Sequence, residues 1–129
     1  MVQDMTEIPE DRIDLPGLDF EQGLEVFEGE MDDYVSALQS YVKNVPDTIK
    51  KLRTVTEEKL PEYAINVHGL KSTSAWICAE NIRKSAAELE ALAKAGDFSA
   101  VSAQNEQFLN DADAFINKLK AILDNSPRS

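Results

Sequence analysis

Histidine and cysteine occur once each in these 129 residues, as His68 and Cys78, and 13 basic residues face 24 acidic ones. A lone thiol forms no internal disulfide, which fits a reducing compartment and sets the expectation of a cytoplasmic protein. One His and one Cys do not make a typical zinc site, and the carboxylates show no calcium-loop spacing, so no metal is expected. The formal net charge of −11 repels phosphate backbones and anionic membranes, which argues against nucleic-acid and membrane partners. No apolar run approaches the ~18 residues of a membrane-crossing helix, and the N-terminal stretch lacks a signal-peptide pattern. The phosphate-cradling patterns G-x-x-x-x-G-K-[ST] and G-x-G-x-x-G are also missing, so neither a cofactor nor an enzyme with its own nucleotide site is expected.

What is present is helical periodicity. The length suits one domain, and hydrophobic residues at 43% supply a core without staples. Residues 1–16 are acidic, carry two prolines and show no period, so they are expected to form a mobile lead-in or linker. Residues 17–125 are expected to form the domain and 126–129 a tail. Asp19 followed by Gln22 has capping-box spacing and predicts a short helix over about 19–27, ending near Gly29. Met31, Tyr34, Val35, Leu38, Tyr41, Val42, Val45, Ile49 and Leu52 then recur at three- and four-residue steps and draw one apolar stripe. Pro46 is expected to kink or split that helix.

Further helices are predicted from about Leu60, with Pro61 in the first turn, to Ile77, and from about 80 to 95, stopped by Gly96. The last begins near Ser99 and carries Val101, Phe108, Ala112, Phe115, Leu119 and Ile122, a narrow bundle seam. No segment alternates with period two. The expected fold is all-α, an antiparallel four-helix bundle core with a short additional N-terminal helix.

The single histidine lies in INVHGLKSTSAW. On a helical wheel Tyr63, Val67, Leu70, Ser74 and Ile77 share one direction and form the core face. His68 falls well off it, solvent-accessible, with Ala64, Ser72 and Ala75 as a low collar and Lys71 one turn on. Cys78 stands ten residues away, about 15 Å along a helix, too far to be activated by the imidazole. Acidic neighbours such as Asp32 and Asp33, or Glu88 and Glu90, read as solvated helix faces. An exposed imidazole is a nucleophile that can carry a group covalently, and without a pocket that group must come from another protein.

The run from His68 to Ala79 resembles the H-x-L-K-G-x-x-x-x-[IL]-G-A signature of histidine-containing phosphotransfer (HPt) domains. The likeness continues upstream in LPGLDFEQGLEVFEGEMDDYVSAL and downstream in LEALAKAGDF, covering about 17–123. Ser72 and Cys78 stand where glycine is usual. The resemblance implies a phosphorelay intermediate of two-component signalling. His68 would be the phosphoacceptor and Lys71 the charge partner of the phosphoryl group. The partners would be receiver domains of response regulators or hybrid kinases, met by a monomeric carrier that is itself no enzyme. Two other readings stay open from the residues: a helical adaptor that binds a receiver without being phosphorylated, and the phosphorylatable domain of a chemotaxis-type kinase.

Two further expectations concern the surroundings of the ring. The helix over 80–95 returns antiparallel past a turn near 78–80, which sets Glu90 opposite His68. Its carboxylate there would accept a hydrogen bond from Nδ1–H and leave Nε2 free. Glu88 and Lys94 are the neighbours next in reach. Ile65, Gly69, Ser72 and Trp76 fall side by side next to His68, away from the core, and are expected to form the strip on which a receiver docks.

Overall fold

A computed structural model describes residues 12–125. Among the described residues five helices follow one another: α1 Phe20–Val26, α2 Met31–Leu52, α3 Leu60–Trp76, α4 Glu80–Lys94 and α5 Phe98–Asp124. No strand occurs among the described residues. Helix α3 packs on α4, α4 on α5, α5 on α2 and α2 back on α3, while α1 lies against α2. The architecture is the all-α, antiparallel four-helix bundle with a short extra N-terminal helix that the periodicity implies.

The capping chemistry sets the boundaries. Asp19 accepts a hydrogen bond from the Gln22 backbone N–H at 3.1 Å and starts α1. Asp97 does the same for Ala100 at 3.1 Å and starts α5 one residue ahead of the position the sequence suggested. Gly96, at φ 77°, lets the Asp97 N–H reach back to the Leu92 carbonyl at 3.0 Å, which closes α4. Pro46 does not split α2, which runs unbroken to Leu52. The proline is exposed while Tyr41, Val45 and Ile49 stay buried. Its missing N–H therefore costs one solvent-side bond and none of the packed face.

Buried side chains follow the predicted stripes. Tyr63, Val67, Leu70 and Ser74 on the core face of α3 are buried, as is Ile77 just past its end, and so are Tyr34, Val35, Leu38, Tyr41, Val45, Ile49 and Leu52 on α2. The α5 face is wider than the narrow seam, since Leu109, Ile116 and Leu123 are buried and Ile122 only partly. Asn105 also lies in that face. Its side chain accepts from the Tyr63 hydroxyl at 2.8 Å and donates to the Leu52 carbonyl at 2.8 Å, tying α3 and α5 to the last turn of α2. Most of the expected lead-in, residues 1–11, lies outside the described residues, as does the tail from 126. Residues 12–16 are described, and there Ile13 and Leu15 are buried in the core. Packing thus begins before residue 17, because two apolar side chains spaced by two reach the bundle from an extended strap.

The strap fastens to the α3–α4 turn. Leu18 pairs with Ala79, and the Asp19 N–H donates to the Cys78 carbonyl at 2.9 Å. Cys78 itself has φ 62°, a left-handed conformation that costs a residue with a Cβ roughly 1–2 kcal/mol. That conformation is the physical reason glycine suits this position. On the other side of the strap, Gly23 touches the ring of Tyr34, which is fully buried and donates its hydroxyl to the Ile77 carbonyl at 2.9 Å. A Cβ at Gly23 would collide with that hydroxyl. Gly23→Ala is therefore expected to lower stability by about 2–3 kcal/mol despite alanine's better helix propensity. Urea unfolding with an unchanged midpoint would show that α1 shifts freely instead.

Candidate functional site

His68 lies midway along α3 with its side chain 54% exposed. The face behind it is rigid. Val67 and Leu70 are fully buried, and the Ser74 hydroxyl shares a 2.7 Å hydrogen bond with the Tyr41 hydroxyl of α2. Burial pushes the Tyr41 phenol up to about 12, so it stays protonated and the contact persists at any physiological pH. Helix α3 is thus fastened to α2 through its core face.

The opposite wall is α4, where Glu90 is 5% exposed. Its Oε2 lies 2.8 Å from His68 Nδ1, its Oε1 lies 2.6 Å from Lys71 Nζ, and Lys94 Nζ reaches Oε2 at 2.9 Å. Glu88, two residues earlier, is exposed. The expectation of a shared solvated face therefore fails for this pair: a two-residue step on a helix turns one side chain about 200° from the other. The Lys71 and Lys94 ammonium groups push the Glu90 carboxyl down to about 2, with the hydrogen bond from His68 adding to them and burial opposing. An ionised carboxylate only accepts hydrogen bonds, so the proton at this contact sits on Nδ1. Nε2 is the ring nitrogen that this contact leaves free. It makes no hydrogen bond among the described residues.

The structure brings His68, Lys71 and Glu90 together. It also adds Lys94, which sequence reasoning placed only near the site. The signal was there in the four-residue step from Glu90 to Lys94, the spacing of helical ion pairs. Two ammonium groups and one carboxylate leave a single net positive charge beside the imidazole. The ring itself is not sealed in a pocket, since its side chain is 54% exposed.

The residues of the expected docking strip are all exposed: Ile65 at 73%, Trp76 at 50%, and Gly69 and Ser72 beside them. Trp76 is not free on every side. Its ring packs on Phe27 with centroids 5.4 Å apart, and Phe27 stacks in turn on Tyr34. Among the described residues no cluster of three or more His, Cys, Asp or Glu is placed to hold a metal ion, and no helix is long and apolar enough to cross a membrane.

The helical bundle displays one imidazole, held at Nδ1 by a buried carboxylate and open at Nε2, on its surface rather than in an enclosed cleft. The Hpt domain family model matches residues 22–125, and the chain belongs to that family. Hpt domains are phosphotransfer carriers of two-component signalling, and they interact with receiver domains. No curated protein and no solved structure matches the chain.

Proposed function

We propose that the protein is a cytoplasmic phosphorelay carrier in which His68 Nε2 accepts a phosphoryl group from a receiver-domain aspartate, or from a kinase, and passes it to another receiver. The observation that carries this reading is the 2.8 Å contact between His68 Nδ1 and the ionised Glu90. It supports the transfer in three ways. The contact directs the Nε2 lone pair outward, towards an in-line approach. It retains the Nδ1 proton, so no base is needed. It also sets a carboxylate against the positive charge that the ring acquires when its second nitrogen bonds phosphorus.

In the forward step the Nε2 lone pair forms the N–P bond while the P–O bond of the aspartyl phosphate breaks and the carboxylate leaves. In the reverse step the cationic ring is the leaving group and its lone pair returns to Nε2. Phosphoryl transfer runs on positioning and charge compensation, and a receiver brings its own share of both. Lys71 is the charge partner proposed for the phosphoryl group. Its ammonium already stands at the site, where it also neutralises the carboxylate that would otherwise repel the incoming anion.

The test is direct. Phosphoramidate, or a panel of receivers loaded with acetyl phosphate, is expected to place an acid-labile, base-stable label on the protein, and an unloaded receiver is expected to remove it. A protein that takes no label from either source would overturn the reading.

The receiver is proposed to dock over Ile65, Gly69, Ser72 and Trp76, as a monomer-to-monomer encounter. The half-exposed Trp76 supports this, since a large amphipathic ring at the edge of a transfer site is a typical anchor. Trp76→Ala is expected to weaken receiver binding by on the order of 1–3 kcal/mol, more than it lowers the unfolding free energy through the lost Phe27 contact. A variant that melts much earlier yet binds normally would assign Trp76 to the fold and move the strip to Ile65 and Ser72.

A further inference from the structure

Ser72 is one of two residues that depart from the pattern of the phosphohistidine signature, and it lies one turn beyond His68 on the same side of α3. Residues at this four-residue step are neighbours, with Cβ atoms roughly 5–6 Å apart. The Cα–Cβ bonds of a helix tilt towards its N-terminus, which leans the Ser72 side chain back towards His68. Among the described residues that hydroxyl has no hydrogen-bond partner, whereas the next one along, Thr73, donates to the Gly69 carbonyl at 2.9 Å. Ser72 is exposed, so nothing but water competes for it.

The ring's orientation supplies the second observation. Nδ1 is held on the α4 side by Glu90. Nε2 lies on the opposite edge and therefore turns away from α4. Around the axis of α3, Ser72 stands about 40° beyond His68 in that same sense, while Lys71 stands about 60° to the α4 side. A phosphoryl group on Nε2 would therefore have an ammonium on one flank and an unoccupied hydroxyl on the other.

Resting on the reading of His68 as phosphoacceptor, we infer that Ser72 is a phosphoryl-binding residue whose hydroxyl donates a hydrogen bond to a non-bridging oxygen of the phosphoryl group on His68. Its effect is to lengthen the life of the phosphohistidine. In hydrolysis water attacks phosphorus, the P–N bond breaks, the lone pair returns to Nε2 and inorganic phosphate leaves. The transition state is loose and metaphosphate-like, with less negative charge on the phosphoryl oxygens than the bound dianion carries. A donor aimed at those oxygens stabilises the bound state more than the transition state. Loss of the group slows accordingly.

The experiment needs no receiver. The wild-type protein, Ser72→Ala, Ser72→Gly and Ser72→Thr are each phosphorylated with potassium phosphoramidate, freed of reagent and followed by 31P NMR at neutral pH. The Ala and Gly variants are expected to lose the group about 3- to 10-fold faster than wild type, the scale of one hydrogen bond to a charged acceptor at an exposed site. Thr, which keeps the hydroxyl, is expected to stay near the wild-type rate. Melting temperatures of all four are expected to agree within a few degrees, because the position is exposed. Equal decay of wild type and Ser72→Ala would overturn the inference while leaving the carrier function standing. So would a pattern in which only Gly differs, because that would make the residue's bulk its whole effect. A wild-type protein that takes no label on His68 removes the carrier reading and this inference together.

Discussion

His68→Gln is expected to abolish phosphorylation outright while the bundle melts within a few degrees of wild type. Glutamine matches the reach of histidine and can still donate to Glu90, so Lys71 and Lys94 keep their carboxylate and the exposed site opens no cavity. What it lacks is a nucleophilic nitrogen, because the amide lone pair is delocalised into its carbonyl. No other imidazole exists in the chain, so the acid-labile label has no second acceptor. Autoradiography of wild type and variant, each incubated with the same loaded receiver, checks this. Acid-labile label retained on the variant sinks the assignment of His68, and early melting shows that the ring is needed for folding.

Replacing Glu90 has the next largest expected effect. Glu90→Ala removes the acceptor at Nδ1, so the neutral imidazole is free to rotate and to place its proton on Nε2. It also takes the counter-charge from a ring that the proposed phosphorylation would make cationic. Losing the carboxylate that orients a metal-ligating histidine typically costs about 10- to 100-fold, and phosphotransfer to and from His68 is expected to slow on that same scale. Glu90→Gln keeps an acceptor oxygen but no charge, so it is expected to fall between alanine and wild type. Equal rates for Gln and wild type would mean that orientation alone matters, and equal rates for all three would remove Glu90 from the site.

The same residue sets a pH dependence. Its carboxyl is lowered from the ordinary 4.5 to about 2 in the fold, chiefly by Lys71 and Lys94. The unfolded chain therefore binds this proton at higher pH than the folded one. The stabilisation is fully present above pH ~4.5 and is lost as pH falls towards 2. In acid titrations the stability gap between wild type and Glu90→Gln is expected to stay constant above pH ~5 and to close below it. A gap independent of pH down to 2 would contradict the ion-paired state of Glu90.

The residues by themselves determined the helical class, the buried faces of α2 and α3 and the exposed place of His68, because all three follow from a period of 3.6 acting along one helix. A contact that joins two helices is not encoded in the period of either one. Counting across the α3–α4 turn sets Glu90 opposite His68, yet its place beside Glu88 in the sequence also fits one solvated face. Only the packing of α4 on α3 decided that Glu90 is buried between two lysines while Glu88 stays in water. The same holds for Asn105, a polar residue inside an apolar seam, whose partners Tyr63 and Leu52 belong to other helices. Ile13 and Leu15 carried too little period to be distinguished from a linker, and the groove they fill exists only once the bundle has formed. A helix's faces are encoded locally by its own side chains. The charge, burial and hydrogen bonding of a group between helices depend on neighbours distant in the chain, and the tertiary structure alone supplies them.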